Sequence, residues 1–408
     1  MNDYKICIIG LGNVGLDLAI NFSKKYHTIG FDINRELIKK IKSQNKKYLN
    51  TSESSKNKLT VSHNHKLIIN CDIYIITVPT PVDKKRIPNL DSIIKATKLI
   101  SKYLCEDNIV IYESTFYPGL TEEVCIPLLE KESKLELNKD FFVGYSPERI
   151  NIGDNQKLSS EIIKITSGSN KTASKKIDDL YKSVIKAGTY SVDSIKVAEA
   201  TKMVENCQRD LNIALMNELT RFFKRIDVDM NKVLDAASTK WNFARFSPGL
   251  VGGDCIAIDP YYLIHSAKKI KYNLPLVSLA RKTNEEMTDY IFREILKKIS
   301  SIKIQKLAFF GISFKENCSQ INNSMYLKIA NKLKKIYAVD IFDHLVKTSN
   351  SNLNLKNIAD FDDLKYEAIV IGSKHNKYKK MIFKSNFNKS VVIVDIHGVS
   401  IHSENVIL

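Results

Sequence analysis

One cysteine lies where a reactive thiol would be useful. Cys255 is part of LVGGDCIAIDPYY and follows two glycines and an acid, with Asp259 four residues later. Glycines let a ligand approach the backbone closely, whereas a cysteine used for packing normally lies in an apolar run. The pattern therefore favours Cys255 as a nucleophile in a polar loop. An inert packing cysteine remains the alternative.

A lysine and an asparagine are spaced to share one helix face. Lys202 and Asn206 are four residues apart in EATKMVEN, inside a segment with helical periodicity. A lysine projecting from a mostly apolar helix could hold an anion or relay a proton. The alternative is a solvated surface lysine.

The sequence GLGNVG fits the dinucleotide-binding pattern G-x-G-x-x-G, with its glycines at Gly10, Gly12 and Gly15. The first permits a tight turn, the second lets a pyrophosphate approach, and the third allows close helix–strand packing. The pyrophosphate would lie on the N-terminus of a helix beginning near Val14. Asp32 ends the next apolar run and would bind the ribose hydroxyls, which favours NAD over NADP. Arg35 is a complication, because a cation could contact a phosphate.

Short apolar runs alternate with helical patterns on both sides of a helical region. This alternation predicts an α/β protein with two Rossmann-like, doubly wound parallel-sheet domains joined by a central helical domain. One long helix is predicted from Ser194 to about Ile226, where thirty-three residues contain no Pro or Gly. We predict domain boundaries at 1–190, 191–300 and 301–408.

Composition narrows the possible partners. The net charge is +17, but it comes mostly from scattered lysines rather than an Arg/aromatic surface, so we expect no nucleic-acid partner. No apolar run approaches the ~20 residues of a membrane span, and the start lacks the features of a signal peptide. We therefore expect a cytoplasmic protein. Seven scattered cysteines without CxxC pairs predict reduced thiols and no metal site.

Eight ordered segments resemble the UDP-glucose/GDP-mannose dehydrogenase family along the whole chain. They are GLGNVG, FDIN, TVPTP, YESTFYPG, GYSPER, EATKMVEN, GGDCIAID and GISFKEN. The resemblance implies an N-terminal NAD domain, a central helical domain that forms a homodimer through its long helix, and a C-terminal UDP-sugar domain. The segment KWNFARFSPGLVGGDCIAIDPYYL is most similar to the branch acting on UDP-N-acetylhexosamines, with UDP-N-acetylgalactosamine favoured.

The resemblance also implies roles for individual residues. Cys255 would carry a thiohemiacetal and then a thioester, while Lys202 and Asn206 would stabilise the developing oxyanion. Asp259 and Thr115 would order water and proton transfers, and Glu148 would hold or activate water. The implied cofactor contacts are Gly10, Gly12, Asn13, Val14, Gly15, Asp32, Arg35, Thr80, Ser114 and Thr115. The implied substrate contacts are Glu148, Arg149, Lys202, Asn206, Phe246, Gly249, Gly252 and Lys315.

Four positions depart from the pattern of similar sequences. Asp254 precedes the cysteine where the branch usually has His, and an acid there would raise the thiol pKa unless its carboxylate turned outward. Gln320 and Asn322 follow FKEN where an acid and an Arg are common, which puts NAD affinity in question. Leu37 replaces a basic residue, with Arg35 as a possible substitute.

The expected reaction is a four-electron oxidation of the sugar's primary alcohol to a carboxylate, supplying surface polysaccharide synthesis. UDP-N-acetylmannosamine or UDP-glucose is an alternative substrate. A single-step β-hydroxyacid-type dehydrogenase and a non-catalytic nucleotide-sugar or nucleic-acid binder are alternative functions.

Overall fold

The computed structural model describes residues 4–44, 58–149, 159–300, 302–347, 353–378, 391–397 and 407–408. The chain divides into two compact units. The first contains Met1–Glu205 and Tyr261–Tyr272, and the second contains Asn206–Pro260 and Asn273–Leu408. The three predicted domain boundaries stay a prediction.

The first unit contains an eight-stranded sheet with the strand order 3-2-1-4-5-6-7-8. Its strands are β1 (Lys5–Ile9), β2 (His27–Phe31), β3 (Leu59–Ser62), β4 (Ile73–Ile76), β5 (Ile109–Tyr112), β6 (Phe142–Tyr145), β7 (Lys164–Gly168) and β8 (Thr189–Ser191). Neighbouring strands are parallel except β6 and β7, which are antiparallel. The order 3-2-1-4-5-6 is that of a dinucleotide-binding fold, as the alternation predicted. The antiparallel pair was not predicted.

Helices cover this sheet because their apolar faces need burial. They are α1 (Asn13–Ser23), α2 (Arg35–Gln44), α3 (Asp91–Ser101), α4 (Ile126–Ser133) and α5 (Lys171–Lys182). Phe22 of α1 and Tyr181 of α5 meet edge to face, with ring centroids 5.7 Å apart. Both side chains belong to the main core of this unit. The core therefore fixes the helix that follows the glycine-rich turn.

The predicted long helix is present as α6 (Ile195–Phe223). It is followed by α7 (Met230–Ala237), α8 (Asp259–Lys269) and α9 (Pro275–Ile299). Within the described residues, none of the helices is both long and apolar enough to cross a lipid bilayer.

The second unit contains a five-stranded sheet in the order 11-10-9-12-13, and all its recorded pairings are parallel. The strands are β9 (Lys306–Phe310), β10 (Ala338–Phe342), β11 (Leu355–Lys356), β12 (Ala368–Ile371) and β13 (Val392–Asp395), and α10 spans Met325–Leu333. Ile291 of α9 and Ile329 of α10 pack into the core of this sheet. The predicted fold class, two parallel-sheet domains with a central helical part, is confirmed.

Candidate functional site

The glycine-rich turn leaves room for a ligand at the start of α1. Gly10 has φ +93°, a conformation that favours glycine, and its N–H donates to the Phe31 carbonyl oxygen at 2.9 Å. Gly12 is the N-cap residue of α1, and no other group lies within 4 Å of the position that a Cβ atom there would occupy. The N–H groups of a helix N-terminus attract phosphate, so the space at Gly12 suits a pyrophosphate.

Gly15 packs against β1 and the end of β4. A Cβ atom on Gly15 would lie 1.9 Å from the Gly10 carbonyl oxygen and 2.4 Å from Thr77 Oγ1. The Thr77 hydroxyl donates to that same carbonyl oxygen at 2.7 Å. Close helix–strand packing at Gly15, as the sequence predicted, is therefore present.

Asp32 faces the turn from the end of β2. Its Oδ2 accepts a hydrogen bond from the Leu11 N–H at 2.8 Å, and its Oδ1 accepts one from the Asn34 N–H at 2.8 Å. Arg35 is exposed at the start of α2, whereas Leu37 packs against the core. Leu37 therefore has a packing role in this chain.

Three predicted cofactor residues follow β4 and β5. Thr80 is half-buried, and its carbonyl oxygen accepts a hydrogen bond from the Tyr262 hydroxyl at 2.8 Å. The Ser114 hydroxyl donates to the Val78 carbonyl oxygen at 2.7 Å, and Thr115 beside it is half-buried. These residues share the carboxyl edge of a parallel sheet, where ligands of such folds bind.

Lys202 is nearly buried, with 5% of its surface exposed. Its Nζ donates to the Glu148 carbonyl oxygen at 2.7 Å and lies 3.7 Å from Glu148 Oε2. The neighbouring Arg149 donates to Glu205 Oε1 at 2.5 Å and to the Ile163 carbonyl oxygen at 2.7 Å. The solvated-surface alternative for Lys202 is therefore wrong. The structure brings Lys202 and Glu148 together, and their catalytic roles stay a prediction.

Cys255 lies in the loop before α8 and is partly exposed. Its carbonyl oxygen accepts the N–H of Asp259 at 2.9 Å, which closes the turn that starts α8. Asp259 is fully buried, and its Oδ2 accepts a hydrogen bond from Asn206 Nδ2 at 2.5 Å. The structure thus places a carboxylate and an amide, from two helices, beside the loop that carries the thiol.

A buried polar network, which the sequence did not reveal, holds one end of that loop. Asn217 of α6 exchanges two hydrogen bonds with the Gly249 backbone, at 2.8 and 2.9 Å. Asn217 also donates to Asn284 Oδ1 at 2.8 Å, and Asn284 Nδ2 donates to Asp210 Oδ1 at 2.7 Å. The loop is therefore fixed to α6 and α9.

The same network reaches the residue after the cysteine. Arg281 Nη1 donates to Asp210 Oδ1 at 2.9 Å and to the Ile256 carbonyl oxygen at 3.1 Å. Burial raises the pKa of Asp210 to about 6, although the Arg281 charge opposes that rise. The sequence held one signal of this network, namely polar residues at helical spacing among apolar ones. They are Asp210 and Asn217 in α6 and Arg281 and Asn284 in α9.

The remaining predicted substrate residues lie in the second unit, where Gly252 packs against Phe314, the neighbour of Lys315. Phe246 packs on a small cluster with Met216 and Leu234. The Lys315 ammonium lies 5.9 Å from the Phe314 ring centroid. In the described part of the chain, no group of three or more His, Cys, Asp or Glu side chains is arranged to hold a metal ion.

Comparison with known proteins shows which family this chain resembles. Sequence profiles of the UDP-glucose/GDP-mannose dehydrogenase family match three regions. They are the family's NAD binding domain at residues 4–185, its central domain at 196–286 and its UDP binding domain at 308–401.

Individual relatives match nearly the whole chain. A UDP-N-acetyl-D-glucosamine 6-dehydrogenase of Pseudomonas aeruginosa is 41% identical, and the match covers 93% of each chain. The solved UDP-D-ManNAc dehydrogenase of Pyrococcus horikoshii is 27% identical with a TM-score of 0.84, covering 97% of this chain and 96% of that one. An NDP-N-acetyl-D-galactosaminuronic acid dehydrogenase of Methanosarcina mazei is 25% identical with a TM-score of 0.76, covering 92% and 86%.

Proposed function

Because the chain belongs to the UDP-glucose/GDP-mannose dehydrogenase family, a family of NAD-dependent oxidoreductases, we propose that it oxidises a UDP-N-acetylhexosamine at carbon 6. The product is the corresponding uronic acid, a precursor of surface polysaccharide. The observation that carries this proposal is the partly exposed Cys255 thiol in a loop fixed beside the buried Asp259–Asn206 pair.

The glycine-rich turn is proposed to hold the cofactor. Gly12 and the α1 N-terminus, with Asn13 and Val14, would contact the pyrophosphate, and Asp32 the adenosine ribose. Thr80, Ser114 and Thr115 would line the nicotinamide side. When bound, NAD accepts a hydride from the sugar carbon in each of the two oxidations.

Cys255 is proposed to retain the sugar between the oxidations. The thiolate adds to the carbonyl carbon of the aldehyde and forms a thiohemiacetal. Loss of a hydride from that carbon and of the proton from its hydroxyl gives a thioester, and water then releases the acid and regenerates the thiol. The aldehyde never needs to leave the protein, so both oxidations occur in one binding event.

Four polar residues are proposed to assist this chemistry. Lys202 would place its positive charge near the oxygen that becomes negative, and Asn206 would donate a hydrogen bond to it. Asp259 is held by Asn206, so its carboxylate is fixed for accepting a proton from the attacking water. Glu148 would position water near the substrate.

The identity of the hexosamine is a finer part of the proposal. The sequence favours the galacto epimer, and a solved relative carries that name. The relative at 41% identity carries the gluco name. One hydroxyl configuration distinguishes these two sugars. The proposed substrate is therefore an N-acetylhexosamine, and the galacto preference stays a prediction.

A panel of UDP-sugars with NAD, followed by NADH formation, tests this proposal. We expect UDP-N-acetylhexosamines to be oxidised faster than UDP-glucose, because the resemblance is to that branch. Oxidation of β-hydroxyacids with no reaction on UDP-sugars would instead favour the single-step dehydrogenase. Thermal stabilisation by DNA or RNA, but not by UDP-sugars or NAD, would favour the nucleic-acid binder.

We also propose that the protein is a homodimer through α6. Four exposed apolar side chains, Val197, Val204, Leu215 and Phe222, are separated by seven, eleven and seven residues. At 3.6 residues per turn these intervals place all four on one stripe of the helix. Light scattering should give a dimer for the wild type and a monomer for the double variant Val204→Glu/Phe222→Glu. A dimeric double variant would contradict the proposed interface.

A further inference from the structure

In the loop that carries Cys255, the backbone at Gly252 and Gly253 packs closely against residues 314–323. A Cβ atom on Gly252 would lie 2.7 Å from the Asn323 carbonyl oxygen. Gly253 has φ +80°, and a Cβ atom there would lie 2.8 Å from the Phe314 ring. Two glycines in succession therefore permit a close contact that no other residue could make without displacing this segment.

The next residue, Asp254, extends this contact with its side chain. Asn322 Nδ2 donates to Asp254 Oδ2 at 3.0 Å, and Asn323 Nδ2 donates to Asp254 Oδ1 at 3.2 Å. Both carboxylate oxygens are thus directed towards two amides of the 314–323 segment. Asn323 has φ +50°, in a region that asparagine tolerates better than most residues.

The segment that receives Asp254 is itself well fixed. The Phe314 N–H donates to the Gln320 carbonyl oxygen at 3.0 Å, which closes the segment on itself. The Ser324 hydroxyl donates to the Ile312 carbonyl oxygen at 2.6 Å and joins its end to the turn after β9. The amides of Asn322 and Asn323 therefore project from a rigid base.

We propose that Asp254 is a positioning residue, which latches the nucleophile loop to the second parallel-sheet domain through Asn322 and Asn323. This inference rests on the proposed function of Cys255. Asp254 and Asn322 are direct hydrogen-bond partners in this chain. The carboxylate acts by accepting hydrogen bonds from the two amides.

The latch has a chemical consequence for the two-step oxidation. The thiol must add to the aldehyde before the aldehyde diffuses away, and a displaced loop slows that addition. Weakening the latch should therefore release free aldehyde, lower kcat and leave the KM for NAD unchanged. A general loss of folding would lower the active fraction without releasing aldehyde.

The first experiment measures kcat, KM and trapped aldehyde for Asp254→Ala and for Asn322→Ala/Asn323→Ala. We expect kcat to fall about tenfold in each, as for the loss of two hydrogen bonds, with aldehyde detectable by a hydrazine trap. Asp254→Asn keeps one acceptor oxygen and replaces the other by a donor, so kcat should fall about threefold, between wild type and Asp254→Ala. Asn273→Ala, at an exposed asparagine of the same unit, is the matched control and should resemble wild type. Latch variants with wild-type kcat and no aldehyde would overturn the proposal.

The second experiment measures the alkylation rate of Cys255 by iodoacetamide, mapped by peptide mass, across pH. Asp254→Asn should leave this pH profile close to wild type, because the proposal gives the charge no role. A faster rate at neutral pH with a lowered apparent thiol pKa would show that the acid acts as a charge and would overturn the latch. This readout needs no turnover. If wild type oxidised no UDP-sugar, the proposed function would fail while the alkylation data still tested the latch.

Discussion

The turn after β1 and the turn after β9 share the same backbone hydrogen bonds. The Gly10 N–H donates to the Phe31 carbonyl oxygen at 2.9 Å, and the Gly311 N–H donates to the Phe342 carbonyl oxygen at 2.8 Å. Both glycines have positive φ, +93° and +80°. Each sheet therefore begins its first crossover with the same local geometry.

An aspartate supports each turn from the end of the neighbouring strand. Asp32 accepts the Leu11 N–H at 2.8 Å, and Asp343 accepts the Ile312 N–H at 2.9 Å. Asp32 remains partly exposed, whereas Asp343 is buried. The same carboxylate position is thus open to a ligand in one domain and enclosed in the other.

The residue after the turn explains this difference. Gly12 leaves open space, and α1 starts at the next residue. In the second turn Ser313 takes that position, and its hydroxyl lies 3.1 Å from His375 Nε2. The Asn317 N–H donates to His375 Nδ1 at 2.8 Å, so Nε2 carries the proton and donates to Ser313.

The shared strand–turn geometry does not by itself make a cofactor site. In the first turn, glycine and an immediate helix N-terminus offer N–H groups to a phosphate. In the second, a serine, a histidine and a buried aspartate fill the equivalent space with protein. The first turn is suited to bind a ligand and the second to brace a domain.

The largest expected effect follows from removing Asp343, the buried carboxylate that supports the turn after β9. Asp343→Ala leaves the buried N–H groups of Ile312, Leu345 and Val346 without their acceptor. We expect the free energy of unfolding to fall by about 3–5 kcal/mol, measured by urea denaturation, with the Kd for NAD unchanged. Asp360→Ala, at an exposed acid in the same domain, should unfold like wild type. A weaker NAD affinity in Asp343→Ala would contradict the division of roles.

Gly12→Ala should weaken NAD binding and leave stability unchanged, which is the reverse of Asp343→Ala. The added methyl group meets no protein atom within 4 Å, so the melting temperature should not change. It would occupy the space proposed for the pyrophosphate, and we expect NAD affinity to fall about tenfold or more, by calorimetric titration. Gly15→Ala is the contrasting variant, because its methyl group would collide with the Gly10 carbonyl oxygen and destabilise the fold. Unchanged NAD binding by Gly12→Ala would remove the turn from the cofactor site.

Asp32→Asn should change cofactor choice more than stability. The amide still offers an oxygen to the Leu11 N–H but no longer repels a 2′-phosphate. We expect the preference for NAD over NADP to fall by about tenfold, as for the loss of ~1.4 kcal/mol of discrimination, from the ratio of kcat/KM values. A preference for NAD that was unchanged in Asp32→Asn but strengthened in Arg35→Ala would assign the discrimination to the arginine.

The smallest expected effect is a pH dependence of the stability that Asp343 contributes. The hydrogen bond from His375 and the backbone N–H groups hold the pKa of Asp343 below its usual range, against the opposing effect of burial. Its folded pKa is below its unfolded pKa, so its contribution to stability is present above about pH 4 and is lost as pH falls through the folded value. Urea denaturation from pH 6 to pH 3 should therefore show the difference between wild type and Asp343→Asn shrinking at the acid end. A constant difference would contradict this assignment.

Sequence patterns predicted the parts of this structure that depend on local regularity. The periodicity of α6 and the spacing of Gly10, Gly12 and Gly15 each report a nearby geometry, and both predictions hold. The partners of Asp254 and Gly249 were not predictable, because Asn322 and Asn217 are brought to them by tertiary packing. Asp343 was also missed, since its turn has Ser313 where the recognisable motif requires glycine.

Cys255 is proposed to carry the sugar through both oxidations. The most direct test of this proposal is the number of NADH molecules formed for each UDP-N-acetylhexosamine consumed, in wild type and in Cys255→Ser, with Cys105→Ser at an exposed cysteine as the control. We predict two NADH and the uronic acid for wild type and Cys105→Ser, with no uronic acid from Cys255→Ser. Uronic acid formed with two NADH by Cys255→Ser, or a single NADH with no acid from wild type, would contradict the account.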